Sequence, residues 1–375
     1  MLVKNKGPLP SYSHMNTRNN LKEYNDRLDS FVAVVQSEDA SDLHLNAFYK
    51  PVIRVSGALV PLSNEDDLTH EDTAKFLANM LTDEQRKRFD ETREVDFSYF
   101  CEKHKMRFRG NASVQRGAIS IALRHIPSKI STLQELQIPE QLLHFAGLKQ
   151  GFFLVVGPVG QGKSTTLAAI IEHINQTRAE HIVTIEDPIE YIYTPKQCII
   201  DQREVRLDTL SFEAGLHAAF RQDMDVILVG EMRGNEAIGA AVTAAETGHL
   251  VFSTLHTNNA SQTINRIVDS FPAHQQDQIR VQLAASLTGI FSQRLVPRIA
   301  GGLVPAYELM ICTKAVSNMI REKRSHEIDS IIETGMEDGM LSMNRSLANL
   351  VRAGEVTVES AFATSLDGEG LERLL

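Results

Sequence analysis

The sequence predicts an α/β protein in two parts: an α+β domain first, then a larger α/β domain with a mainly parallel sheet and a helical C-terminal region. Three observations carry this. The chain has 375 residues, a length suited to two or three domains. In its first third, apolar residues alternate with polar ones in short runs, the pattern of strands with one buried face. From Gly151 onward, continuous apolar runs alternate with segments of helical period, the pattern of parallel strands covered on both faces.

Taken in order, residues 1–27 are rich in Asn, Ser and polar residues and predict a flexible extension. Residues 28–124 form the first domain. "SDLHLNAF" puts Leu43, Leu45 and Ala47 on one face, and "PVIRVSGALVPL" reads as a hairpin around Ser56-Gly57. "THEDTAKFLANMLTDEQRKRF" has a helical period, and "MRFRGNASVQRGAISIALRHI" gives two strand-like runs broken by Gly110 and Gly117. Residues 125–140 are a linker bracketed by Pro127 and Pro139, since the residue before a proline is biased out of helix. Residues 141–375 form the second domain, with strands at "FFLVV", "HIVTIE", "DVILVG" and "HLVFSTL". The segment beyond Thr313 reads as packed helices.

The first of these strands runs into Gly157-Pro158-Val159-Gly160-Gln161-Gly162-Lys163-Ser164, a GxxxxGK[ST] loop between a strand and a helix. Backbone N–H groups there converge on phosphate oxygens, and the helix N-terminus adds partial positive charge. Lys163 is expected to reach the β/γ-phosphates of ATP, Ser164 to bind Mg²⁺, and Thr165 to contact the α-phosphate. Hydrolysis needs an acid for the metal and a group to orient water. Glu231 follows the buried strand in "DMDVILVGEMRG" and is assigned to Mg²⁺. Glu186 ends the strand in "VTIEDPIEY" and is assigned to the attacking water, while Glu190 belongs either to this site or to a helix cap. "ETGHLVFSTLHTNN" places His249 and His256 at opposite ends of one strand, too far apart to share a metal. Thr254 or His256 is expected to report the γ-phosphate. Arg107, Arg109, Arg116 and Arg124 cluster before the linker and are candidates for a cation supplied to a neighbour's nucleotide.

Composition narrows the class further. A formal net charge of −10 gives no electrostatic reason for nucleic-acid binding. Cys101, Cys198 and Cys312 are scattered and form no CxxC pair, which argues against a zinc ribbon and fits a reducing cytoplasm. No apolar stretch approaches the roughly 20 residues of a membrane span. The expectation is a cytoplasmic protein, free to dock on the inner face of the membrane.

Together the motifs resemble the PilT-type ATPases of type IV pilus systems, within the wider secretion-ATPase superfamily. The resemblance runs from Ser41 to Thr364 and rests on the phosphate loop, "TIEDPIEY", "ILVGEMR", "AAETGHLVFSTLHTN" and "AVSNMIRE". It implies a PAS-like N-terminal domain, a RecA-like ATPase domain and a homohexameric ring. It further implies nucleotide between the two domains, closed by N-terminal-domain arginines matching Arg109, Arg116 and Arg124. The implied work is pilus retraction, hence twitching motility and DNA uptake, through an inner-membrane platform protein. The chain departs from the family at Val159 and Gln161, usually Thr and Ser, at Gly234-Asn235 after "GEMR", and at Ser317, usually Arg. Extension ATPases of the superfamily carry a longer N-terminal region and a four-cysteine motif, which favours retraction here. The paralogous PilU type, an assembly or type II secretion ATPase, and a RecA-like nucleic-acid motor stand as alternatives.

Overall fold

The computed structural model describes residues 18–375 apart from Ser56, Ser128 and Arg233. The chain divides into two compact units, Met1–Lys129 and Ile130–Leu375.

In the first unit, helix α1 (Arg18–Ser37) begins inside the segment expected to be a flexible extension. Residues 1–17 of that segment lie outside the described residues. Leu28, Phe31, Val32 and Val35 are buried at i, i+3, i+4 and i+7, a stripe that packs the helix onto the sheet. Strands β1 (Asp42–Asn46), β2 (Val52–Val55) and β3 (Ala58–Pro61) follow, with the expected hairpin turning at Gly57. The single helical stretch of the sequence is two helices, α2 (His70–Met80) and α3 (Asp83–Thr92). Leu81 is extended between them, and Thr82 opens α3 with a reciprocal capping box to Gln85, satisfying N–H groups that a continuous helix would not expose. Strand β4 (Glu94–Cys101), unforeseen in the sequence, pairs with β5 (Met106–Gln115), which turns into β6 (Ala118–Ile126). Gly110 does not break β5. It faces the Phe97 ring so closely that a Cβ would lie 2.4 Å from it. The six strands form one antiparallel sheet, β3-β2-β1-β6-β5-β4, with α1–α3 against its apolar face.

The second unit contains α4 (Leu142–Ala146), β7 (Gly151–Val156), α5 (Lys163–Thr177), β8 (His181–Glu186), β9 (Ile199–Glu204), α6 (Phe212–Ala219), β10 (Val226–Val229), α7 (Gly234–Glu246), β11 (Leu250–Leu255), α8 (Ala260–Asp269), α9 (Ala273–Ser286), β12 (Leu287–Pro297) and β13 (Leu303–Ile311). Helices α10 (Lys314–Arg321), α11 (Ile328–Thr334), α12 (Met343–Arg352), α13 (Val358–Thr364) and α14 (Gly368–Glu372) complete it. Seven strands lie in the order β13-β12-β7-β11-β10-β8-β9, all parallel except the edge strand β13. Every residue of β7, β10 and β11 is buried, because helices cover both faces. One apolar layer includes α5 and the other includes α7 and α8. Phe153 stacks on Phe145 at 4.3 Å between ring centroids and meets Phe252 edge-on. Truncating such a ring to alanine costs about 3–5 kcal/mol. Among the described residues, no helix is long and apolar enough to cross a membrane.

Candidate active site

The sheet order puts β7, β11, β10 and β8 side by side and parallel, so four loops leave neighbouring carboxyl ends. Those loops deliver Lys163, His256, Glu231 and Glu186, the ligand-facing edge of an open parallel sheet.

The loop after β7 is held in a shape that side chains would prevent. Gly157 has φ 148°, and a Cβ there would sit 2.4 Å from the Gln293 carbonyl. Gly162 has φ 76°, with Gln293 Nε2 2.9 Å from its Cβ position. Val159 points into solvent, whereas the Gln161 Oε1 accepts a hydrogen bond from Leu295 N–H at 2.6 Å. Gln161 therefore does more than fill a free position: its side chain fastens the loop to β12.

Lys163 is buried, and its ammonium donates to the carbonyls of Gly157 and Pro158, both at 2.9 Å, and to His256 Nδ1 at 3.2 Å. Burial lowers its pKa below the ordinary lysine value, opposed by the carboxylates of Glu231 and Glu190. An ammonium only donates, so His256 Nδ1 is the acceptor and the ring proton sits on Nε2. That nitrogen is 3.5 Å from Glu231 Oε1. His256 thus bridges the loop lysine and the carboxylate after β10. Thr254 is also tied to this end of the sheet, donating its hydroxyl to the Gly230 carbonyl at 2.7 Å. His249 is not: at the far end of β11, its Nδ1 lies 3.0 Å from the Ala244 carbonyl at the end of α7.

Glu186 is buried, and burial raises its pKa to about 7 despite hydrogen bonds from the Thr184 hydroxyl at 2.8 Å and the Glu190 N–H at 3.2 Å. A carboxyl group with that pKa is a stronger base than an exposed one and is half ionised near neutrality. Thr165, expected to meet the α-phosphate, has its hydroxyl 2.8 Å from Tyr191 Oη.

The Ser164 hydroxyl and the Glu231 carboxylate, assigned to Mg²⁺ from the sequence, are both hard oxygen groups of the kind that ion takes. Among the described residues, no group of three or more His, Cys, Asp and Glu could hold a metal ion.

The four arginines named from the sequence all lie in the first unit, with Arg107 half-buried on β5 opposite Ile126. Arg109 and Arg124 are direct cross-strand partners of β5 and β6, both exposed. Arg124 Nε donates to Asp42 Oδ1 at 3.0 Å, which offsets the repulsion of like charges set opposite each other. Arg116 sits in the exposed β5–β6 turn with φ 51°.

Sequence reasoning missed Thr184, Tyr191 and Gln293. Thr184 and Tyr191 gave no separate signal beside the acidic motif. Gln293 did: "SQR" is a polar triplet inside the apolar run of β12.

The family model described as "Type II/IV secretion system protein" matches residues 20–303. The chain is 44% identical over 334 residues to the Pseudomonas aeruginosa "Type IV pilus retractation ATPase PilT", covering 89% of this chain and 96% of that one. It is 44% identical over 327 residues to a "Twitching motility protein" of Neisseria gonorrhoeae, covering 87% of each. The fold matches the crystal structure of the pilus retraction motor PilT with bound ADP at a TM-score of 0.86 and 45% identity, over 92% of this chain and 98% of that chain.

Proposed function

The chain belongs to the PilT-type ATPases of the type II/IV secretion system protein family, and from that premise we propose that it is an ATP-hydrolysing motor that powers type IV pilus retraction. The observation that carries the reading is the delivery of Lys163, His256, Glu231 and Glu186 from adjacent parallel strand ends. ATP lies with its phosphates in residues 157–165. Lys163 exchanges part of its present hydrogen bonding for the β/γ-phosphates. Ser164 and Glu231 hold Mg²⁺, which when bound neutralises phosphate charge. Glu186 takes the proton of the attacking water and orients it. His256, hydrogen-bonded to Lys163 and 3.5 Å from Glu231, senses the γ-phosphate through whichever partner it displaces.

In this reading, residues 28–124 act as a PAS-like domain and residues 141–375 as a RecA-like ATPase domain, joined by a linker at 125–140. The working form is a homohexamer in which Arg109, Arg116 and Arg124 serve a neighbour's nucleotide. The ring acts at the inner face of the cytoplasmic membrane on an integral platform protein of the pilus machine.

Lys163→Ala tests the chemistry. The purified variant should keep wild-type circular dichroism and Tm while its ATPase falls to background. Wild-type turnover would overturn the loop assignment. Deleting the gene in its host tests the direction of work: hyperpiliated, non-twitching cells support retraction, and bald cells mean extension.

A further inference from the structure

Two polar features of β12 and the edge strand β13 remain unused by this chemistry. Ser292, Gln293 and Arg294 interrupt the apolar run of β12, and Glu308 interrupts that of β13 directly opposite Ser292. Alternation sends their side chains to opposite faces of the sheet.

On the face of α5, Gln293 is 2% exposed and hydrogen-bonded at both its amide nitrogen and its amide oxygen. Its Nε2 donates to the Gln161 carbonyl at 2.8 Å, and its Oε1 accepts from the Thr166 hydroxyl at 2.6 Å. Two residues on, Leu295 N–H binds the Gln161 side chain. These bonds tie β12 to the phosphate loop and to the first turn of α5.

On the face of α8, the same strand holds the turn that follows His256. Arg294 Nη2 donates to Asn258 Oδ1 at 3.0 Å. Ser292 donates to Glu308 Oε1 at 3.0 Å, and that oxygen also accepts from the Ala260 N–H at 2.8 Å, at the first residue of α8. Glu308 is 7% exposed. The turn between His256 and α8 is therefore pinned at Asn258 by Arg294 and at Ala260 by Glu308.

We propose that Ser292–Leu295, with Glu308, is a crossbar that sets the phosphate loop and the His256 turn in register, and that Gln293 and Glu308 are positioning residues for ATP hydrolysis. The inference rests on the nucleotide reading above. Gln293 fixes where the phosphates bind. Glu308 fixes where the histidine stands relative to them. The two ends should consequently fail in different ways.

The test uses the full chain, with fluorescent ADP for affinity and steady-state ATPase for turnover. Gln293→Ala should weaken ADP binding about 10-fold and raise KM in parallel. Glu308→Ala should keep ADP affinity within about 3-fold while kcat falls about 10-fold or more. Glu308→Gln retains the acceptor oxygen and should restore most of kcat. Wild-type kcat in Glu308→Ala, an equal loss of binding and turnover there, or a Glu308→Gln as damaged as the alanine variant would each overturn the crossbar. If Glu308→Ala is insoluble, Asn258→Ala removes only the hold of Arg294 on the turn. It should lower kcat about 3-fold at unchanged ADP affinity, and an unchanged kcat overturns the proposal. A wild-type chain that binds no ADP would sink the nucleotide reading and the crossbar with it. An active wild type whose variants do not split sinks the crossbar alone.

Discussion

The two sheets of this molecule carry their charges in different places. In the parallel sheet, the central strands β7, β10 and β11 are buried at every position and carry no charge, and functional groups wait at the carboxyl ends. In the antiparallel sheet, charge lies along an open face: Arg54, Asp42, Arg124 and Arg109 stand in one cross-strand row. The difference follows from coverage. Helices on both faces leave only strand ends for polar chemistry, whereas a sheet packed on one face can array charged side chains on the other. The first arrangement converges on one point. The second presents a surface, from which any one of several cations could be used.

The sharpest way to break that contrast is to remove a convergent group. Glu186→Gln should lower ATPase about 10³-fold or more while ADP affinity stays within a few-fold. Its pKa gives a second readout. Below about pH 7 the buried carboxyl is protonated and cannot accept a proton from water. Wild-type kcat should fall as pH drops from 8 to 6, and the residual rate of the variant should not follow that profile. If Glu231→Gln alone loses hydrolysis at unchanged affinity, the two glutamates exchange roles.

If the surface-borne cations are supplied between subunits, as proposed above, they should behave differently. Arg124→Ala is expected to lose about 10³-fold in rate, the loss of a true arginine finger. Mixed with Lys163→Ala, it should regain part of the ATPase, since a mixed interface pairs an intact loop with an intact arginine. Confirmed mixed rings without rescue would show that Arg124 acts within its own subunit or that turnover needs most sites intact. A fully active wild-type monomer would end the trans model.

The same contrast decides what could be read from the sequence. Lys163, Glu186, Glu231 and His256 were legible because each follows a continuous apolar run, and a buried parallel strand has only one place to put such a residue. The arginines could be grouped but not ranked: alternation shows that Arg109 and Arg124 share a face, not that Asp42 ties down one of them. Strand β9 and the pair β12–β13 escaped notice because polar residues interrupt them. In β12 and β13 those interruptions, at Gln293 and Glu308, make the contacts that bind the two strands to loops. The break between α2 and α3 was hidden because Leu81-Thr82 keeps the helical period while Thr82 starts a new cap.

A smaller effect concerns stability. Burial raises the Glu308 pKa to about 7, Asp329 adding to the shift and the Ala260 N–H, Ser292 and Arg294 opposing it. The folded chain therefore binds a proton that the unfolded chain, near the ordinary glutamate value of 4.5, releases earlier. This destabilises the fold progressively as pH rises from about 4.5 to 7, by about 3 kcal/mol at most. Glu308→Gln removes the penalty, so its Tm should gain on wild type between pH 5 and pH 8. The same Tm difference at both values would show that Glu308 does not titrate between them.

The smallest expected effect tests whether position along the charged face matters. Asp42 is the acid in the row of arginines. Burial would raise its pKa, but the Ser41 hydroxyl and the Arg124 guanidinium outweigh that and hold it below the ordinary aspartate value of 3.8. The stability it contributes is present above the unfolded pKa and disappears as pH falls through the folded one. The pair is worth little to the fold, since the Arg124 side chain is 72% exposed against 9% for Asp42, and pairs open to water contribute about 0–1 kcal/mol. Asp42→Asn should therefore leave Tm nearly unchanged at pH 7. Its effect should fall on function: Arg124, no longer held by a carboxylate and directly opposite Arg109, would sample more orientations. ATPase of the assembled protein should drop about 2–5-fold, in kcat rather than KM. The combination with Arg124→Ala distinguishes the causes. If Asp42 acts only through Arg124, the double variant is no slower than Arg124→Ala alone. A further loss in the double variant would mean that Asp42 serves Arg54 or the sheet itself.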